Sequence, residues 1–199
     1  MQHHRIGQLT GGLDMEPRVK AILRTNLVQF LVRWDQLITL QLNRAVHLQA
    51  VHWFFSTISR LGNGRFWYVL MLLLALLHGL YGIAAALHMG VTGLVTLLVY
   101  RTVKGAAQRP RPGAVHESIQ LGCAALDEYS FPSGHTMHAV AFTLVAVAWF
   151  PALLGLLWTF SLLTGLARII LGLHYPTDVI LGAVFGALVG YSSLLLAGL

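Results

Sequence analysis

Charge is what this sequence has least of. Only 10% of its 199 residues are Asp, Glu, Lys or Arg, against 56% hydrophobic residues, and the mean hydropathy is +0.69. Soluble domains carry about 25% charged residues, so the composition argues against a water-soluble globule and for a bilayer. A single cysteine, Cys123, cannot close an internal disulfide, so no oxidised framework is implied and the redox compartment stays open. The first twenty residues lack an apolar core followed by small residues, so they are not expected to be a cleavable secretory signal, and His3 and His4 read as incidental. The net charge is +6, yet the basic positions form no dense polar run interleaved with aromatics. That argues against nucleic acid and for an anionic lipid or phosphate as partner.

Apolar stretches run roughly over 66–79, 81–103, 134–150, 152–171 and 177–196, most of them near the ~20 residues a spanning helix needs. Gly79, Pro151 and the pair Tyr175-Pro176 mark breaks between them. Residues 18–58 mix apolar positions with Arg24, Arg33, Asp35, Asn43 and Arg44. Such groups are costly against lipid tails, so an interfacial amphipathic helix is expected there, with an additional pass within 27–58 as the alternative. The fold expected is all-α: a polytopic transmembrane bundle of five to six spans with N-terminal interfacial amphipathic helices, in one compact unit. Trp53, Phe54, Phe55, Trp67 and Tyr68 flank a Gly-rich turn, Leu61-Gly62-Asn63-Gly64-Arg65, which suits either headgroup anchoring or helix packing. Gly182, Gly186 and Gly190 recur every fourth position and predict a close helix–helix approach.

Because polar side chains are expensive in a membrane, their clustering is informative. One cluster, Lys104 to Pro112, contains Lys104, Arg109 and Arg111 where a long apolar stretch ends. Lysine is a compact cation and arginine a planar fork matched to phosphate oxygens, although a basic loop after a span is also an ordinary surface anchor. A second, Phe131-Pro132-Ser133-Gly134-His135, precedes an apolar helix. Ser133 and Gly134 there offer backbone amides to an anion, and His135 sits where it can donate a proton; a plain helix cap is the alternative. A third runs from Ala167 to Asp178 and holds Arg168, His174 and Asp178. With Pro176 at the first helical position, the Asp178 carboxylate can fold back toward His174, orienting it as a nucleophile; a capping Asp beside a packed His is the alternative. If successive spans alternate direction, all three clusters emerge on one face of the membrane.

These residues resemble the type 2 phosphatidic acid phosphatase family over about 60–196. Its first motif, lysine, six residues, then Arg-Pro, is similar to Lys104 with Arg111-Pro112; Arg109-Pro110 has the wrong spacing and is expected to be accessory. Pro-Ser-Gly-His stands unchanged at Pro132–His135, and the third motif matches at Arg168, His174 and Asp178, with Ala167 where the family has serine. The resemblance implies a transmembrane phosphatase domain over 59–199; the polar residues upstream make 1–58 the expected cytoplasmic or interfacial amphipathic region. It implies Lys104, Arg111, Arg168, Ser133 and Gly134 as phosphate ligands, His174 as nucleophile oriented by Asp178, and His135 as acid and then base.

No cofactor and no metal are expected, because only Asp178 is a carboxylate near the proposed site and magnesium prefers several oxygen ligands. Glu117, Asp127 and Glu128 read as solvated loop residues, His138 as a core or cavity residue, and His47, His52, His78, His88 and His116 have no partner that the sequence names. The expected substrate is a lipid phosphate or diphosphate, undecaprenyl diphosphate first and phosphatidate or phosphatidylglycerophosphate next. A lipid transporter or scramblase is the rival class and predicts flux without phosphate release. The resemblance to short bacterial members implies the inner membrane with the site facing outward. The crowding of Lys and Arg on the site face opposes that orientation, and impermeant labelling of Cys123 in intact cells would decide it.

Overall fold

The computed structural model describes residues 26–123 and 127–199; the leading residues, with His3, His4, Arg5, Arg18, Lys20 and Arg24, lie outside them. The described residues are helical, without a strand. Helix α1 is Asn26–Asn43, α2 Gln49–Arg60, α3 Phe66–Ala107, α4 Pro112–Val115, α5 Gly134–Trp149, α6 Leu154–Ile170 and α7 Pro176–Ala197.

The helical runs Gln49–Ala107, Pro151–Ile170 and Pro176–Ala197 are long and apolar enough to cross a membrane, and Gly134–Trp149 is a shorter apolar helix. Within α3 the chain reverses at Gly79, which takes a left-handed φ of 56°. A Cβ on Gly82 would lie 1.8 Å from the carbonyl oxygen of Leu74. In a straight helix those residues would be about 12 Å apart along the axis, so the two limbs of α3 fold back on each other. Leu80 on this reversal is 86% exposed and Leu196 on α7 is 90% exposed. Apolar surface so fully presented fits lipid contact rather than water.

Helix α5 is the axis of the bundle. Its Met137, Ala139, Ala141, Val145 and Ala146 are completely buried, so a segment of only 16 residues is shielded by protein along its length. Helix α7 lies along it in parallel, and the glycine spacing provides the contact: a Cβ on Gly182 would sit 2.7 Å from the Ser133 carbonyl, and one on Gly186 would sit 2.3 Å from that of Met137. No side chain fits there, which is why the stripe is glycine. On the opposite side, Thr143 of α5 meets Ser161 of α6 at 2.8 Å. The aromatic residues divide: Trp67 is buried against Phe142 and Phe160 at 5.2 and 5.6 Å between ring centroids, whereas Trp53 and Tyr68 face outward.

Helix α1 packs with its polar stripe inward. Asp35, Thr39 and Asn43 recur every fourth residue and are buried, while Phe30 and Leu37 are exposed. Asn43 donates to the carbonyls of Gln120 and Ile170, 2.9 Å each, and accepts from the Gln120 amide at 2.9 Å. This helix therefore closes over the loops at one end of the bundle.

Candidate active site

Those loops carry the site. Near the end of α3, Lys104 lies one turn beyond Tyr100, and its ammonium donates to the Tyr100 hydroxyl at 2.6 Å. Gln108 ends the helix in a left-handed conformation, after which Arg109 and Arg111 run into the short helix α4. Arg111 donates through Nη2 to Asp127 Oδ1 at 2.5 Å and through Nε to the Asp127 carbonyl at 2.8 Å. Lys104 meets the same carboxylate oxygen at 2.5 Å, and the Tyr100 hydroxyl donates to the other at 2.7 Å. Asp127, expected in solvent, is thus shared by two of the predicted phosphate ligands. Burial pushes its carboxyl up, but the bonds from Lys104, Tyr100 and Arg111 outweigh that and bring it to about 2.

The second cluster opens α5. Ser130 hangs from the Arg109 carbonyl through its amide at 2.7 Å. The Ser133 amide donates to the Asp178 carbonyl at 3.0 Å, and its hydroxyl pairs with Thr136 at 3.0 Å, so both of its polar groups already have partners. Gly134 lines the cavity, and a Cβ on it would strike the Tyr100 ring at 2.7 Å; its amide belongs to the first helical turn, whose amides have no partner within the helix. His135 donates from Nε2 to the side-chain oxygen of Asn63.

The third cluster closes the site. A turn with Gly172 at φ 72° lets the amides of Leu173 and His174 bond back to the Arg168 carbonyl at 3.0 and 3.1 Å. Arg168 is 2% exposed and forms no ion pair among the described residues. One terminal nitrogen donates to Ser59 at 2.7 Å, while its Nε is buried without a partner. The serine that the motif lacks at position 167 is replaced by packing: Ala167 is fully buried beside Val46, Leu171 and Leu173. A hydroxyl for the guanidinium comes instead from α2.

His174 is buried between opposite charges. Arg111 Nη1 lies 3.4 Å from its Nε2. Arginine can only donate, so Nε2 carries the lone pair and Nδ1 the hydrogen. Nδ1 points to Asp178 Oδ2 at 3.8 Å, longer than a hydrogen bond. Burial lowers the imidazole to about 4, with Arg168 and Arg111 adding to the effect and Asp178 opposing it. A neutral ring with its free lone pair toward the arginines is the form a nucleophile requires.

Arg111, Asp127, His135, Arg168 and His174 line one end of a cavity of about 440 Å³, and Met71, Leu94, Leu97 and Phe142 line its apolar continuation between the helices. Gly62, Asn63 and Gly64 also line it. No group of three or more His, Cys, Asp or Glu side chains arranged to hold a metal occurs among the described residues. Asn63, Ser59, Tyr100, Asp127 and Asp35 were not singled out from the sequence as site residues. Only the rarity of polar groups in apolar surroundings signals them, and spacing does not.

Residues 81–198, more than half of the chain, match the PAP2 superfamily. The chain is 34% identical over 105 residues to an undecaprenyl-diphosphatase, BcrC, of Bacillus subtilis, covering 53% of this chain and 54% of that protein. It is 33% identical over 94 residues to a lipid A 1-phosphatase of Rhizobium johnstonii, covering 45% and 38%. It thus spans about half or less of the length of these relatives. Among solved structures, Aquifex aeolicus LpxE superposes with a TM-score of 0.70 at 26% identity, over 83% of this chain and 95% of that one. A transmembrane PAP2 type phosphatidylglycerolphosphate phosphatase from Bacillus subtilis has a TM-score of 0.66 at 23% identity, over 89% and 90%, a likeness of fold. With the motifs assembled around one buried imidazole and the match extending over most of the helical bundle, the chain belongs to the PAP2 superfamily.

Proposed function

We propose that this chain is an integral membrane phosphatase that releases phosphate from a lipid phosphate or diphosphate through a phosphohistidine. The observation that carries the reading is a single cavity whose polar end holds Arg111, Arg168, His135 and His174 and whose other end is apolar. A substrate with a phosphoryl head and a hydrocarbon tail matches both ends.

Arg111, Arg168 and Lys104 hold the phosphoryl oxygens, with the first-turn amide of Gly134 as a further donor. Nε2 of His174 attacks phosphorus in line; the P–N bond forms as the bond to the leaving oxygen breaks. His135 gives its proton to that oxygen, then takes one from the water that attacks the phosphohistidine, so orthophosphate leaves and both rings return to their starting forms. The fixed arginines stabilise charge on the equatorial oxygens without reorganising, and the carboxylate of Asp178 stabilises the positive ring formed during transfer. No step uses a divalent ion.

Undecaprenyl diphosphate is the substrate we favour, on the 34% identity to BcrC; lipid A and phosphatidylglycerophosphate are the comparators. Purified protein in EDTA should release phosphate from one of these lipids, and His174→Ala should lower the rate by at least about 10³-fold. Equal release from the parent and His174→Ala would remove the mechanism.

A further inference from the structure

The arginine whose spacing does not fit the motif joins two carboxylates from distant segments at this end of the bundle. Arg109 Nη1 donates to Asp178 Oδ1 and to Thr177 Oγ1, 2.7 Å each. Its Nη2 donates to Asp35 Oδ2 at 2.7 Å, and the guanidinium lies 4.1 Å from the centre of the Tyr175 ring. Asp35 also accepts from the amide and the hydroxyl of Thr177. The Asp35 and Asp178 side chains are 2% and 0% exposed. Both terminal nitrogens of Arg109 are engaged by carboxylates that are almost wholly buried, so it is not placed to grip a phosphoryl group.

We infer that Arg109, anchored by Asp35, is a positioning residue that locks the Asp178 carboxylate against the attacking imidazole. The inference rests on the phosphatase reading above. Oδ1 of Asp178 is held by Arg109 and Oδ2 by the Tyr175 amide at 2.8 Å, so the carboxylate plane has no freedom to rotate. Nδ1 of His174 has no other partner among the described residues, which makes that plane the group that decides the ring's orientation. The charges agree: one guanidinium between two carboxylates leaves a net negative charge behind Nδ1, where the ring becomes positive during transfer. Without Arg109, two buried like charges face each other with no shared cation, and Asp178 loses the contact that fixes it. The Arg109 carbonyl also holds Ser130, so one residue ties the loop before His135 to the turn bearing His174.

The test uses the purified full chain and the lipid substrate on which the parent is active, with orthophosphate as competing anion. A misplaced nucleophile costs about 10² in rate, so Arg109→Gln should lower kcat by about that factor while KM and the orthophosphate inhibition constant stay within about twofold. Arg109→Lys, which keeps the charge, should recover about tenfold of the loss, and Asp35→Asn should lower kcat about tenfold with the same split. Because the effect runs through Asp178, Arg109→Gln added to Asp178→Asn should cost less than about a further twofold. A kcat within about twofold of the parent, a raised KM at unchanged kcat, or additive losses in the double variant would each overturn the inference. Should Arg109→Gln fail to fold, Arg109→Lys and Asp35→Asn decide by the same split. A parent that releases no phosphate would instead sink the phosphatase reading, whereas an active parent matched by all three variants sinks this inference alone.

Discussion

Two charged clusters lie side by side at the site end of the bundle, and their stoichiometry is opposite. In one, a single carboxylate, Asp127, is shared by Lys104 and Arg111. In the other, a single guanidinium, Arg109, is shared by Asp35 and Asp178. Arg111 and Asp127 of the first line the cavity, and the Asp127 side chain is 35% exposed; the second lies behind His174, the proposed nucleophile, with carboxylates that are almost wholly buried. Surplus positive charge, increased by Arg168, is placed where the proposed reaction binds an anion. Surplus negative charge is placed where that reaction makes an imidazole cationic. Arginine and aspartate serve opposite purposes in the two clusters because exposure and partner count differ. Burial raises the cost of leaving a charge unpaired, so the rear cluster is built for fixed geometry and the front one for exchange of partners.

The largest effect that sharpens this contrast is expected at Arg168, the buried cavity cation without an acid partner among the described residues. Arg168→Ala should lower kcat/KM by about 10²–10³-fold, the usual loss for one preorganised donor to a transition-state oxyanion. A loss below about fivefold, in steady-state assays of a correctly folded variant, would show that the unpaired guanidinium is not aimed at substrate.

Next comes the pH dependence. In the proposed reaction His174 attacks only when unprotonated. Burial, Arg168 and Arg111 hold it near 4 against the opposing Asp178, below the ~6.5 of a free imidazole. The phosphoenzyme should therefore form at full rate down to about pH 5 and decline about tenfold per unit below pH 4, measured by rapid quench. A decline that begins near 6.5 would mean that the ring is solvated. The stability sign agrees: the folded value lies below the unfolded one, so this histidine's contribution is fully present above about 6.5 and is lost as pH falls toward 4.

The smallest effect is at the exposed partner. Asp127→Asn removes the carboxylate that competes with an incoming anion for Lys104 and Arg111. Orthophosphate inhibition should strengthen by roughly two- to fivefold, the scale of a partly exposed ion pair. Weaker inhibition would mean that Asp127 organises the cations rather than competing for them.

Much of this was legible before any coordinates. Lys104, Arg111, Pro132–His135, Arg168, His174 and Asp178 stand out because an apolar chain has few reasons to keep such groups, and Gly79, Pro151 and Pro176 fall at the helix breaks the structure contains. Gly182 and Gly186 declared a close helix contact, and Ser133 and Met137 provide it. What escaped was partnership. Asp35 is 142 residues from Thr177, and Asn63 is 72 from His135; no local period links them. Asp127 resembled any loop acid, and Arg109 looked accessory because it misses the motif spacing.

Composition and motif order determined by themselves that this is a membrane-embedded helical protein with its few cationic and titratable groups gathered at the ends of its apolar segments, because the cost of polar groups in lipid acts residue by residue. Which carboxylate meets which cation was decided only by tertiary structure. The fold-back at Gly79, the inward polar face of α1 and the glycine contact between α5 and α7 set the distances between distant segments, and charge pairing falls off too steeply with distance to be read from the order of residues along a chain.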